Sequence, residues 1–267
     1  MRAEPFVIDV PQITLDDLQA RLTRARWPDP SAEDDWTSGA SPGYLRELTA
    51  YWRDGFDWRA QERALNRVPQ FRADVDGIGV HFIHVRGKGD RPLPLILTHG
   101  YPDSFVRFLK VIPLLTDPAA HGADAADAFD VVVPSIPGFG FSDKPPRHGF
   151  TFRVGSLWHS LMTGVLGYER YGAHGGDWGT TITEQLARDH ARAVAGIHLT
   201  DVPFWHVFQP PSDLERDERA FLEKNAAWQK TEAAYAFIQG TRPLTLAAGL
   251  RDSPVGLAAW LIDKFHA

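Results

Sequence analysis

Apolar positions along this chain keep a helical period first and a strand period later. From Thr14 to Trp27, Leu15, Leu18 and Leu22 recur at helical spacing, so a helix is predicted there, with Thr14 and Asp17 as a capping box and Pro28 and Pro30 as its stop. Two more helices are expected over Pro42–Arg53 and Trp58–Arg67, the second ended by Pro69. The period then changes. Residues Phe71–Val75 and Ile78–Val85 flank Asp76-Gly77, a pair that supplies the positive φ values of a tight hairpin. Continuous apolar runs at Leu93–Thr98, Phe129–Val133, Arg170–Ala173 and Val194–Leu199 read as strands buried on both faces. Helical stretches near 104–115, 153–166 and 178–190 separate them, and this alternation argues for an α/β fold with a mostly parallel sheet covered on both sides. After Asp201 come a Pro- and aromatic-rich loop and helices expected near 213–239, 244–249 and 256–265, placed as a helical cap. The expected division is an N-terminal helical meander (1–70), the sheet core (71–202) and the cap or lid (203–267), with no internal repeat.

Composition narrows the chemistry. With 267 residues, 43% of them hydrophobic, the chain can bury a large core. A net charge of −6 without a long basic run gives no nucleic acid partner. The absence of cysteine excludes disulfides and thiolate chemistry. No window is apolar enough for a signal peptide or membrane anchor, so a cytoplasmic protein is expected, its oligomeric state left open. Aromatic residues at 12% suffice to line an apolar pocket as well as fill a core.

The chemistry concentrates in Tyr171-Gly172-Ala173-His174-Gly175-Gly176-Asp177-Trp178-Gly179-Thr180. Gly175, Asp177 and Gly179 have the spacing of a nucleophile elbow with aspartate in the serine position. Such a turn is strained, and glycine two positions to either side lets strand and helix approach closely. A carboxylate there forms an ester by attacking an sp³ carbon, which narrows the reaction to displacement at a strained or activated carbon. Taken alone, the stretch also reads as an ordinary strand-to-helix turn with Asp177 as N-cap.

Three motifs in order, His99-Gly100-Tyr101-Pro102, then Pro137-Gly138-Phe139-Gly140-Phe141-Ser142, then the Asp177 elbow, resemble the α/β-hydrolase superfamily and within it the epoxide hydrolases. Leu22–Pro28, Tyr51–Trp58, Phe71–Gly77, Tyr235–Pro243 and Asp252–Trp260 are similar to the microsomal and juvenile-hormone epoxide hydrolase branch, so the resemblance covers nearly the whole chain. It implies an α/β-hydrolase fold with N-terminal meander and cap, no cofactor, no metal, and a small apolar epoxide and water as partners. It assigns Asp177 as nucleophile, the N–H groups of Tyr101 and Trp178 as oxyanion hole, Tyr235 as the cap tyrosine that protonates the epoxide oxygen, and a cis Tyr101–Pro102 peptide.

Two departures from the pattern stand out. Asp103 occupies a position where the family usually has glycine, and the chain ends at Phe265-His266-Ala267 where the family continues for about a hundred residues. The last strands, a second tyrosine, the acid partner and the water-activating histidine are therefore expected to be missing. Asp201 is a candidate acid, with a loop hydrogen-bond role as its alternative; His99 is expected to be structural and His174 a satisfied core histidine. Two rival readings remain: a haloalkane dehalogenase-like hydrolase, which lacks support from Tyr235 and the meander, and a truncated remnant that binds or covalently traps apolar ligands.

Overall fold

The computed structural model describes residues 2–29, 34–145 and 149–266. Pro30, expected to help stop the first helix, lies outside the described residues. The chain divides into two compact units, Met1–Ile8 with Arg63–Pro211, and Asp9–Glu62 with Ser212–Ala267.

The first unit is built on a seven-stranded sheet in the order β1-β2-β3-β5-β4-β6-β7. Its strands are β1 (Glu4–Pro5), β2 (Gln70–Val75), β3 (Ile78–Val85), β4 (Leu93–Thr98), β5 (Phe129–Pro134), β6 (Tyr171–Gly175) and β7 (Val194–Leu199). Strands β5, β4, β6 and β7 run parallel, while β1, β2 and β3 extend the sheet through antiparallel pairs. The β2–β3 turn has φ 52° at Asp76 and 82° at Gly77, and Asp74 Oδ1 accepts the Gly77 N–H at 3.0 Å. Val80, Phe82, Ile96, Val132, Trp158, Leu161, Met162, Tyr171, Ile182 and Leu186 make one continuous core. Strand β7 corrects the sequence reading: it is the outer strand among the described residues, and most of it is exposed rather than buried on both faces. Apolar composition reports what a strand can bury, and an edge position decides what it does bury.

Helices differ from expectation mainly at their ends. The first runs Gln12–Thr23, with Pro11 as N-cap and no side-chain capping bond, so Thr14 lies inside its first turn and the expected capping box is absent. Pro11, with φ −55°, presets the entry, and the Thr14 N–H donates to its carbonyl at 2.9 Å. The stretch near 104–115 is a 3₁₀ turn, Phe105–Phe108, followed by the helix Ile112–Thr116. That near 153–166 is an α-helix, Val154–Ser160, passing into a π turn, Leu161–Val165. Hydrophobic spacing cannot tell these helix types apart, because all three place apolar residues on one face over so short a run.

The second unit packs helices Gln12–Thr23, Pro42–Asp54 and Pro254–His266 around Leu22, Leu45 and Val255. The single helix expected over 213–239 is two, Arg216–Glu232 and Ala234–Thr241, separated at Ala233, whose φ −84° and ψ 2° leave the helical region. The first of these begins with a reciprocal capping box between Glu215 and Glu218.

A buried histidine in the sheet carries a testable consequence. His81 is fully buried, with Nδ1 2.9 Å from Ser135 Oγ and Nε2 2.9 Å from Gln70 Oε1. The Gln70 oxygen can only accept, so Nε2 carries a proton and donates it there. Burial, with Arg72 adding to it, pushes His81 down to about 4. The unfolded chain then takes up the second ring proton, the one that makes the imidazolium, more readily than the folded one. Its stabilising effect is complete above about pH 6.5 and is lost as pH falls to about 4, on the order of 3 kcal/mol for this ring. Urea midpoints measured between pH 7 and 4 should fall along this window, and His81→Gln should flatten the fall.

Candidate active site

The elbow forms where β6 meets the helix Trp178–Asp189. Asp177 occupies the N-cap position with φ 55° and ψ −125°, yet its side chain makes no capping bond to that helix. A non-glycine residue held there carries strain of about 1–3 kcal/mol. Close packing over-determines the turn: a Cβ on Gly175 would lie 2.0 Å from the Gly179 carbonyl oxygen, and one on Gly179 would lie 2.1 Å from that of Thr98. Glycine is therefore required on both sides of Asp177.

The strand end of β4 supplies the facing wall. The Tyr101–Pro102 peptide is cis, as the sequence resemblance implied. The Tyr101 N–H donates to Asp177 Oδ1 at 2.7 Å. His99 is fully buried and its Nε2 accepts the Ile136 N–H at 3.1 Å, which ties the end of β4 to the loop after β5. That acceptor role and a pKa lowered chiefly by burial make His99 a neutral structural residue.

Asp201, just after β7, turns back under the elbow, where its Oδ2 accepts the Asp177 N–H at 2.8 Å. Two carboxylates thus meet at one turn. Asp177 opens to solvent on one side and is walled by protein on the others. This partial enclosure raises its pKa above the ordinary aspartate value; the Tyr101 and Trp178 N–H groups oppose the rise, Asp201 adds to it, and Arg107 opposes it. Trp178 places its ring edge-on to Phe204, centroids 5.2 Å apart, and to Phe152 at 6.1 Å, an aromatic wall beside the elbow.

The structure thus gathers Asp177, the Tyr101 and Trp178 backbone and Asp201 in the first unit. Tyr235 lies on Ala234–Thr241 in the second unit, half-buried, with the Lys264 ammonium 5.6 Å from its ring centroid. His174, expected as a satisfied core histidine, is half-buried; its partner is the exposed His198, Nδ1 to Nδ1 at 2.8 Å. The two residues face each other across β6 and β7, a register that sequence spacing does not reveal. Also unforeseen were Arg107 and the His206–Glu184 pair, Nε2 to Oε1 at 2.6 Å; the only available signal was the four-residue spacing of Asp103 and Arg107. Among the described residues, no three or more histidine or carboxylate groups gather as a metal-holding set.

The chain matches the family described as Epoxide hydrolase N terminus over residues 3–108 and that described as alpha/beta hydrolase fold over residues 94–245. It is 46% identical over 263 residues to a Stigmatella aurantiaca protein provisionally named an epoxide hydrolase, covering 98% of this chain and 60% of that protein. It is 36% identical over 280 residues to Epoxide hydrolase 1 of Sus scrofa, covering 98% of this chain and 62% of the pig protein. The crystal structure of juvenile hormone epoxide hydrolase from the silkworm Bombyx mori superposes with a TM-score of 0.82 at 29% identity, covering 98% of this chain and 63% of that one. The chain therefore spans less than two thirds of the length of these relatives.

Proposed function

The chain belongs to the α/β-hydrolase fold family in its epoxide hydrolase branch, and on that premise we propose that it opens an apolar epoxide through an Asp177 ester, which water cleaves to a vicinal diol. A carboxylate oxygen of Asp177 forms a bond to one ring carbon as the C–O bond on that carbon breaks. The released oxygen takes a proton, a role we assign to the Tyr235 hydroxyl. Water then adds to the ester carbonyl, the Tyr101 and Trp178 N–H groups meet the resulting oxyanion, and its collapse breaks the acyl C–O bond, releasing the diol and the Asp177 carboxylate while the proton given up by water restores the Tyr235 hydroxyl. Removing one donor of this kind costs about 3–4 kcal/mol in related acyl chemistry.

The observation that carries this reading is the Tyr101 N–H held 2.7 Å from Asp177 Oδ1 at a positive-φ elbow. A donor aimed at the carboxylate before reaction is already in place for the ester oxygen after it. Asp201, engaged through Oδ2 with the Asp177 N–H, fits holding the elbow better than serving as an acid in a relay. The names of the relatives favour epoxide opening over dehalogenation.

Intact-mass spectrometry after incubation with styrene oxide tests it. The expected result is a one-to-one adduct on the peptide containing Asp177, diol in the medium, or both; neither adduct nor diol would overturn the proposal. Accumulated adduct without diol would show that this chain alone does not supply the base that activates water, a contribution of about 10²–10⁴-fold.

Tyr235→Phe keeps the ring and removes only the donor. Ester formation in stopped flow should slow by about 10²-fold while the concentration dependence of binding stays the same. An unchanged rate would return Tyr235 to a packing role.

A further inference from the structure

Asp103 and Arg107 stand beside the elbow without a part in the chemistry above. Arg107 Nε lies 2.9 Å from Asp103 Oδ2, and Asp103 Oδ1 accepts the Ser104 N–H at 2.7 Å, so the carboxylate is fixed by its own backbone while it holds the guanidinium. The 3₁₀ turn Phe105–Phe108 brings the two residues onto one side. The other end of the guanidinium reaches the elbow: a Cβ built on Gly176 would be 3.5 Å from Arg107 Nη1 and also 3.5 Å from Asp201 Oδ2. Arg107 Cζ further sits 5.7 Å from the Phe108 ring centroid, and Phe108 meets His174 edge-on at 5.7 Å. The cation is thus braced between the loop after β4, the turn that carries Asp177 and the loop after β7 that carries Asp201.

That turn has an electrostatic problem. Asp201 must stay ionised to accept the Asp177 N–H strongly, and Asp177 must be ionised to attack, yet like charges so close oppose each other. We infer that Arg107, braced by Asp103, is a positioning residue that favours the charged carboxylate of Asp177 beside Asp201. Among the charged groups acting on Asp177, Asp201 disfavours its charge and Arg107 favours it. His99 and His174 also feel Arg107, and burial lowers the pKa of both, which favours their neutral forms and leaves the positive charge to Arg107. The notion that Asp177 is the nucleophile rests on the function proposed above; the placement of Arg107 does not.

The test is a ¹³C NMR titration of the Asp177 carboxyl, assigned by loss of its signal in Asp177→Asn, in the full chain and in Arg107→Gln and Arg107→Lys. In Arg107→Gln the Asp177 titration should move up by about half a pH unit at low salt. Arg107→Lys, which returns the charge, should bring it back. Single-turnover adduct formation should then be about threefold slower in Arg107→Gln at pH values below the titration midpoint and unchanged above it, by the same half unit. A structural defect would slow it at every pH. The guanidinium is two-fifths exposed, so the variants should fold. Should Arg107→Gln fail to fold, Asp201→Asn provides the second arm, where relief of repulsion should move the Asp177 titration down. An unmoved Asp177 titration in Arg107→Gln, a lysine variant that does not restore it, or no downward movement in Asp201→Asn would overturn the inference. Wild-type chain that titrates as described but forms no adduct would sink the enzymatic proposal and leave the role of Arg107 standing.

Discussion

Replacing Asp177 by either alanine or glycine is expected to abolish adduct and diol completely, and the glycine variant is expected to melt above the alanine variant. The first result follows from covalent chemistry, because no ester forms without the carboxylate. The second follows from the backbone. Asp177 holds φ 55° and ψ −125°, a region where alanine keeps the Cβ strain and glycine does not. Strain of about 1–3 kcal/mol should outweigh the roughly 0.5–1 kcal/mol that glycine ordinarily costs relative to alanine. Both variants also remove the repulsion between Asp177 and Asp201. Thermal melts of the two variants decide the order. Retained adduct formation in either variant would refute Asp177 as the nucleophile, and an alanine variant that melts higher would show that the turn stores no usable strain.

Gly179→Ala should be the most damaging single-methyl change near the site. Its Cβ would stand 2.1 Å from the Thr98 carbonyl oxygen and 2.9 Å from that of His99. Both obstacles are backbone, and Thr98 and His99 are fully buried, so neither can swing aside as a flexible side chain would. The helix must move off the sheet, carrying the Asp177 turn away from the Tyr101 N–H. A loss of about 3 kcal/mol or more is expected, at the upper end of overpacking costs, together with loss of adduct formation. Gly196→Ala is the control, because a Cβ on Gly196 meets nothing within 4 Å and should be close to neutral. Equal urea midpoints for the two variants would contradict this account of the elbow.

Much of the sheet was legible because its signals are local. Strands Leu93–Thr98 and Val194–Leu199 fall on the residues their apolar runs marked, and Asp76-Gly77 forms the hairpin its dipeptide required. The elbow was equally legible, since Gly-x-Asp-x-Gly states both a strained turn and the clearance around it. Less legible were features that depend on a second segment. Strand β1 is two residues long and exists through its pairing with Phe71 and Arg72. The break at Ala233 and the π turn after Ser160 are small changes in backbone angle inside uninterrupted helical periodicity.

The sequence alone determined which residue stands at the tip of the elbow as the proposed nucleophile, why glycines flank it and which order of strands and helices presents it, because each of these is encoded within a few consecutive residues. Tertiary structure alone decided how that carboxylate is surrounded: the Tyr101 N–H on Oδ1, Asp201 beneath the backbone of Asp177, and Arg107 reaching the same turn from 70 residues earlier in the chain. It likewise drew residues 9–62 and 212–267 into one unit. The physical reason is the range of each effect. Propensity, turn strain and steric clearance act between neighbours in sequence, whereas charge and burial act between neighbours in space, and those neighbours are set only once the sheet has chosen its strand order.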